Sequence, residues 1–271
     1  DQIKIAKNAN NSNFFEASLL LYLDSFAKKK YKQAAKRLKK IENFLESGTY
    51  EFVIYETIKS YNELFLNKKI EKSNKNFGKL SLITNAFQSC YLDSNKNSSY
   101  FINLINSDEE DYSRYLFFYL ANIIENKDYD VAKEISTTIE PLTSSLLISQ
   151  SQNWIEHKNF KKFIHYFSCK NEKHLLSEFF FLISNLFSSQ EKLDESNFYL
   201  SLSNYLNPKF YFNLSLLAEN YYLDNNFDLA IKTLENFDNN DEIYYWYKTK
   251  KIAQILTKQK SEEVSLKFIE K

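Results

Sequence analysis

From Glu178 to Phe237 the apolar positions repeat with a shift of 34 residues. Phe180, Ile183 and Phe187 fall on Leu214, Leu217 and Tyr221; Ser196, Leu200 and Ser203 fall on Ala230, Leu234 and Phe237. Each set is spaced i, i+3 or i+4, i+7, one face of an α-helix. The pattern therefore predicts two amphipathic helices joined by a short turn in each unit. Such a unit cannot bury its apolar face alone, so it must stack on its neighbours.

A second signal marks the turns. A polar residue is followed by an aromatic or Leu, two more residues, and then a small one. It occurs at Lys30-Tyr31 to Ala34, Asp128-Tyr129 to Ala132, Lys192-Leu193 to Ser196 and Asn226-Phe227 to Ala230. Asn159-Phe160 to Phe163 is a copy with Phe in the small position, and a C-terminal copy centres on Val264. From Ala132 onward the centres lie 31, 33, 34 and 34 residues apart. In the irregular middle, Ser73 and Ser99 serve as centres. The small residue lets two helix backbones cross closely. Asn, Asp and Lys stand where a turn would favour Gly, and Asn and Asp tolerate the left-handed conformation best among the non-Gly residues.

The periodicity predicts eight helix pairs. First helices are expected over Phe14–Lys29, Tyr50–Leu66, Lys79–Leu92, Glu109–Asn126, Leu142–His157, Lys173–Ser189, Lys209–Asp224 and Glu242–Lys258. Second helices are expected over Lys32–Leu45, Lys69–Phe77, Ser98–Ile105, Tyr129–Ile139, Phe160–Phe167, Leu193–Tyr205, Asp228–Asn236 and Ser261–Ile269. Pro208 and Pro141 open first helices, where a missing N–H is harmless, and Gly48 reads as a stop between helices. Residues 1–10 read as the second helix of a truncated repeat, and the charged 261–271 segment as the capping helix. The chain contains no Met, which reads as a processed or excised chain. Residues 1–271 are thus expected to form one continuous, all-α, α-α superhelix.

Composition agrees with the helical reading. Only two Gly and two Pro occur, too few for the turns of an all-β or doubly wound fold. Thirty-five Lys and Arg balance thirty-five Asp and Glu, which argues against a nucleic-acid binder, since those normally carry a basic surplus. The longest apolar runs, Tyr115–Ala121 and Phe179–Ile183, are too short to span a bilayer. Two cysteines, Cys90 and Cys169, make no disulfide framework and read as small buried thiols.

The repeat resembles the tetratricopeptide repeat (TPR), and its Phe-, Asn- and Lys-rich wording resembles TPR proteins of alphaproteobacteria with AT-rich genomes. Residues 179–207 and 209–237 match best. The resemblance implies a solenoid whose first helices line a concave groove for an extended peptide. It places Asn62, Gln88, Arg114, Gln152, Asn185 and Glu219 in that groove, with Tyr55, Tyr91, Tyr222 and Trp246 beside them. Amides would bond a peptide backbone and rings would pack its side chains. The family's carboxylate-clamp subtype needs Lys and Arg at positions that here are Leu19, Ile58, Thr84, Phe117, Ile148 and Phe181, so recognition of chaperone C-terminal tails is rejected.

Catalytic chemistry finds no constellation. His157, His165 and His174 belong to no HExxH pattern, and the pair His165 and Cys169 is half a metal site. The run Asp108–Asp111 reads as a helix N-terminal cap. Neither a phosphate-cradling Gly-rich loop nor GxSxG occurs. The expectation is a non-enzymatic scaffold with no cofactor or metal, binding a protein or extended peptide, without nucleic acid or a membrane span, as a monomer or a subunit of a complex. The alternative is a helical accessory domain of a larger cell-envelope enzyme or complex. A bacterial chain is implied, with export and cytoplasmic residence both open.

Overall fold

Among the described residues seven non-glycine ones hold a positive φ: Lys29, Lys68, Asp93, Lys127, Lys158, Glu191 and Asn225, all between 54° and 67°. Five of them close the same hydrogen-bonded turn. In the computed structural model, Lys30, Asp128, Asn159, Lys192 and Asn226 donate their N–H groups to Ser25, Ile123, Trp154, Phe187 and Tyr221, at 2.7–3.0 Å. The residue before each donor donates one step further in, to Phe26, Ile124, Ile155, Ser188 and Tyr222. This pair of hydrogen bonds satisfies carbonyls that a helix end leaves open. The left-handed residues from Lys127 onward are spaced 31, 33 and 34 apart, the same intervals as the sequence period.

The structure describes residues 14–70, 75–93, 97–106, 112–139 and 145–270. Among these the fold is all-α. The helices are α1 (Phe15–Ala27), α2 (Tyr31–Ile41), α3 (Tyr50–Asn67), α4 (Lys79–Tyr91), α5 (Asn97–Ile105), α6 (Tyr112–Glu125), α7 (Tyr129–Thr137), α8 (Leu146–Glu156), α9 (Phe160–Tyr166), α10 (Glu172–Ser188), α11 (Leu193–Leu206), α12 (Tyr211–Leu223), α13 (Phe227–Leu234), α14 (Glu242–Gln259) and α15 (Glu262–Ile269). A 3₁₀ turn, Glu42–Phe44, extends α2. Side chains of Thr49, Asn171, Asp241 and Ser261 cap α3, α10, α14 and α15.

Sequence periodicity alone draws no boundary, but the chain folds as two compact units, residues 1–100 and 101–271. In the first, α1 packs on α2, α2 on α3, and α3 on α4. An aromatic ladder runs Tyr22, Phe26, Phe65, Tyr91, with ring centroids 5.2–5.9 Å apart. In the second, α10 packs on α11, α12 on α13 and α14 on α15, while α6 touches α7, α8 and α9. Its core continues through Phe117, Phe163, Trp154, Tyr166, Tyr211 and Tyr244.

The expected close-approach residues Ala34, Ala132, Ser196 and Ala230 are fully buried, and so is Phe163. Two expectations need correction. No helix occupies Lys69, Ile70 or 75–77, where the periodicity predicts a second helix; residues 71–74, with Ser73, lie outside the described residues. That stretch has only Ile70 and Phe77 as apolar positions, so there is no stripe to bury. Instead Asn76 Oδ1 accepts from the Gly78 N–H and Ser81 Oγ from the Phe77 N–H. The last repeat centres on Ser265, which is buried and donates to the Ala253 carbonyl, whereas Val264 is exposed. Pro208 lies in the link between α11 and α12, before the helix. The N-terminal half repeat, Pro141 and the acidic run 108–111 fall outside the described residues.

Neither cysteine is a free thiol. Cys90 and Cys169 are both buried and both disulfide-bonded. The count of two could not decide this, because bridging depends on Cα separation and side-chain direction.

The turn and crossing analysis makes two stability predictions, both read by urea denaturation. Ala230→Leu should overpack the α12–α13 crossing and cost about 1–3 kcal/mol. Glu191→Gly should relieve the left-handed strain and gain about 0.5–1 kcal/mol.

Candidate functional site

Arg114 enters on α6 and is 3% exposed. Its Nε donates to Glu178 Oε1 at 2.7 Å and its Nη2 to Glu178 Oε2, a two-pronged pairing with a carboxylate on α10. Nη2 also donates to Asn213 Oδ1 on α12 at 2.8 Å. The guanidinium lies 3.6 Å from the Phe181 ring centroid and 4.7 Å from that of Phe212. Asn213 Nδ2 donates on to Ser203 Oγ, and Ser203 and Ser177 each donate to the other's carbonyl. Three helices far apart in sequence are thus clamped by one polar network inside an aromatic shell. Arg114 Nη1 alone of its nitrogens is buried without a hydrogen-bond partner.

A second network lies in the same unit. Asp241 Oδ2 accepts from Tyr166 Oη at 2.5 Å and from Gln150 Nε2 at 2.6 Å, and its Oδ1 accepts from the Tyr244 N–H. Burial, then the bond to Asp241, pushes the Tyr166 phenol far above its usual range. Burial does the same to Tyr244. Both phenols are therefore held neutral.

These networks decide the fate of the sequence-predicted groove residues. Arg114 is the buried hub. Asn62, Gln88, Tyr55 and Tyr91 are also buried: Gln88 Nε2 donates to Ser60 Oγ at 2.7 Å, and the Tyr91 hydroxyl accepts from Lys68 Nζ. Burial first, then a bond to Glu42, raises the Tyr55 phenol. All five are corrected from accessible groove positions to interior ones. For Arg114 the reason is that its face of α6 turns toward Glu178 of α10 and Asn213 of α12. The clamp positions Leu19, Ile58, Thr84, Phe117, Ile148 and Phe181 are likewise buried.

The remaining five reach solvent. Asn185 on α10 is exposed. Glu219 pairs with Lys251 at 2.6 Å. The Tyr222 ring is flanked by Lys251 and Lys258, with Nζ 4.8 and 4.9 Å from its centroid. Trp246 is 62% exposed on α14, edge-on to Tyr245.

Gln152 lines a groove of about 440 Å³ between α7 and α8, within the usual size of ligand sites. Tyr129, Lys133 and Ser136 lie one helical turn apart along α7 and face Gln152 and Ile155 of α8, with Phe160 at the start of α9. Tyr129 and Phe160 stack at 4.2 Å, 10° from parallel. Gln152 Nε2 donates to the carbonyls of Ser136 and Ile139 at 3.2 and 3.4 Å, while its Oε1 makes no bond to the described residues. The groove's charges, Asp130, Lys133, Glu156 and Lys158, form no ion pair among the described residues. Sequence reasoning found Gln152 and missed Tyr129, which reads there as a turn marker.

No family model, curated protein or solved structure matches the chain. Among the described residues no three His, Cys, Asp or Glu gather as metal ligands, and no helix is long and apolar enough to cross a membrane.

Removing Arg114 leaves Glu178 charged and unpaired in the interior. Arg114→Ala should cost about 3–5 kcal/mol in urea unfolding, while the double change Arg114→Met with Glu178→Leu should recover most of it. His174 gives a pH prediction. Its Nδ1 accepts from the Ser168 N–H at 3.0 Å, and burial, then His165 and Lys173, pulls its pKa from the usual 6.5 down to about 4. The folded state thus keeps His174 neutral where the unfolded chain would protonate it. Stability from this group is complete above pH 6.5 and is lost as pH falls toward 4. Melting temperatures should drop across that window, and His174→Gln should flatten the drop.

Proposed function

We propose that the chain is a non-enzymatic helical-repeat scaffold of tetratricopeptide type that binds an extended segment of a partner protein. The observation that carries this reading is the α7–α8 groove. It offers a side-chain acceptor for a peptide N–H in Gln152 Oε1, a stacked aromatic pair at one end, and unpaired charges of both signs. Those are the elements extended-peptide recognition uses: amides for the main chain, rings for apolar side chains, and charges for register. The 34-residue period and its recurrent turn support the repeat assignment. Five of the ten residues that the resemblance implies for a concave groove are buried, and Gln152 lines the α7–α8 groove, so the contact surface in this reading is the α7–α8 face.

Selection from a random peptide phage library on the immobilised chain tests it. Enriched peptides should bind with micromolar affinity and weaken at least about tenfold, or 1.4 kcal/mol, with Tyr129→Ala or Gln152→Leu. Enriched peptides that bind both variants as tightly as the parent chain would reject the surface, and no enrichment at all would reject the reading.

A further inference from the structure

The charge of the chain is balanced in sum and uneven in place. Residues 28–40 hold eight of the thirty-five Lys and Arg and no Asp or Glu; an even spread would put about two cations there. They occupy the turn after α1 and the outer face of α2. Lys28 is tied to Asp24 at 2.7 Å. The other seven, Lys29, Lys30, Lys32, Lys36, Arg37, Lys39 and Lys40, have no ion-pair partner among the described residues. All but Arg37 are exposed. The fold makes them a strip. Ala34, Leu38 and Ile41 are buried, so the helix is rotationally fixed with its lysines outward. Lys32, Lys36 and Lys39 follow at i, i+4 and i+7, one line along successive turns. The left-handed turn at Lys29 places Lys29 and Lys30 at its head.

We propose that this strip binds nucleic acid through the phosphate backbone, without reading bases. Three observations select that partner among polyanions. First, every exposed residue of α2 is Lys or Gln. There is no apolar anchor to bury in a lipid interface or in a peptide hot spot. Second, exposed pairs between lysines and a peptide's carboxylates contribute about 0–1 kcal/mol each. A phosphodiester chain instead carries condensed counterions, and their release drives binding at each phosphate neutralised. Third, acids bound the strip: Glu16 and Asp24 on α1, and Glu42 and Glu46 just after α2. A planar anionic membrane would meet those acids together with the lysines, whereas a linear backbone can follow the strip alone. With one arginine, itself half-buried, the strip lacks the bidentate groups that distinguish bases. The site shares no residue with the α7–α8 groove, and its test is independent of that reading.

The experiment is fluorescence anisotropy of a labelled, mixed-sequence 20-nucleotide single strand titrated with the full chain between 50 and 200 mM NaCl. With seven phosphate contacts, log affinity should fall against log salt with a slope near −5, at about −0.7 per contact. Lys32→Gln, Lys36→Gln, Lys39→Gln and Lys40→Gln combined should cut the slope to about −2 and weaken binding at 50 mM by about a hundredfold, with the circular dichroism unchanged. Lys232→Gln, Lys248→Gln, Lys250→Gln and Lys260→Gln combined, an equally charged set elsewhere, should change neither. Absence of binding at 50 mM would overturn the proposal. So would equal loss in the two variants, or tighter capture by phosphatidylserine vesicles or polyglutamate than by the oligonucleotide.

Discussion

One buried guanidinium ties the second unit together. Arg114 reaches Glu178 and Asn213, 64 and 99 residues away in sequence. Moving both charges of such a pair out of water costs several kcal/mol each, and attraction alone does not reliably offset that. The geometry shows what offsets it here: two parallel bonds to the carboxylate, a third to an amide, and aromatic faces above the cation. An apolar residue at 114 could fill the volume but could not specify which helices meet. The pair thus sets register among α6, α10 and α12, a role best attested for buried polar groups where alternative packings compete. A core built so largely of interchangeable Phe and Tyr presents that competition.

The turns solve the opposite problem, at the surface. With two glycines in the whole chain, helix ends fall to Lys, Asp, Glu and Asn in the left-handed conformation. Each carries strain of about 1–2 kcal/mol. The strain persists because the paired turn bonds satisfy carbonyls that would otherwise be open, and because the following aromatic is anchored under the turn. Phe26 against Tyr31 and Tyr222 against Phe227 show the anchor directly. Local strain and tertiary packing are therefore coupled at every helix pair that keeps the motif. The stretch around Ile70 lacks the apolar stripe, and its described residues, Lys69, Ile70 and 75–77, are not helical.

These two devices explain how far the residues could be read in advance. Helix positions were legible because each rests on a local pattern: a periodic apolar face, a turn residue, a cap. Ala34, Ala132, Ser196 and Ala230 were legible as crossings because smallness at a fixed offset has one physical use. The accessible surface was not legible. Deciding whether Arg114 or Gln88 faces solvent requires knowing which helices converge on it, and that is set by partners 28 to 99 residues away. Polar type misleads in such positions, since Arg, Gln and Asn are ordinarily exposed and their burial here is made tolerable only by bonds the sequence does not show. Trp246 stands out on α14, although an aromatic at helical spacing would ordinarily be core.

Charge obeys the same logic. A zero sum says little about any one surface, because screening confines the influence of an exposed charge to about 8–10 Å. What a partner meets is the local sign. The described acids of the first unit lie on α1, on α3, in the link after α2 and, at Asp93, just past α4, while the exposed face of α2 carries only lysines and Gln33. Seven like charges held together repel one another, and nothing in the apolar packing of α2 requires them. Ala34, Leu38 and Ile41 would seat the helix equally well beneath glutamines. The repulsion is a standing cost to the folded unit that an anion would relieve on binding, so the distribution itself, more than the total, marks this face as a binding surface.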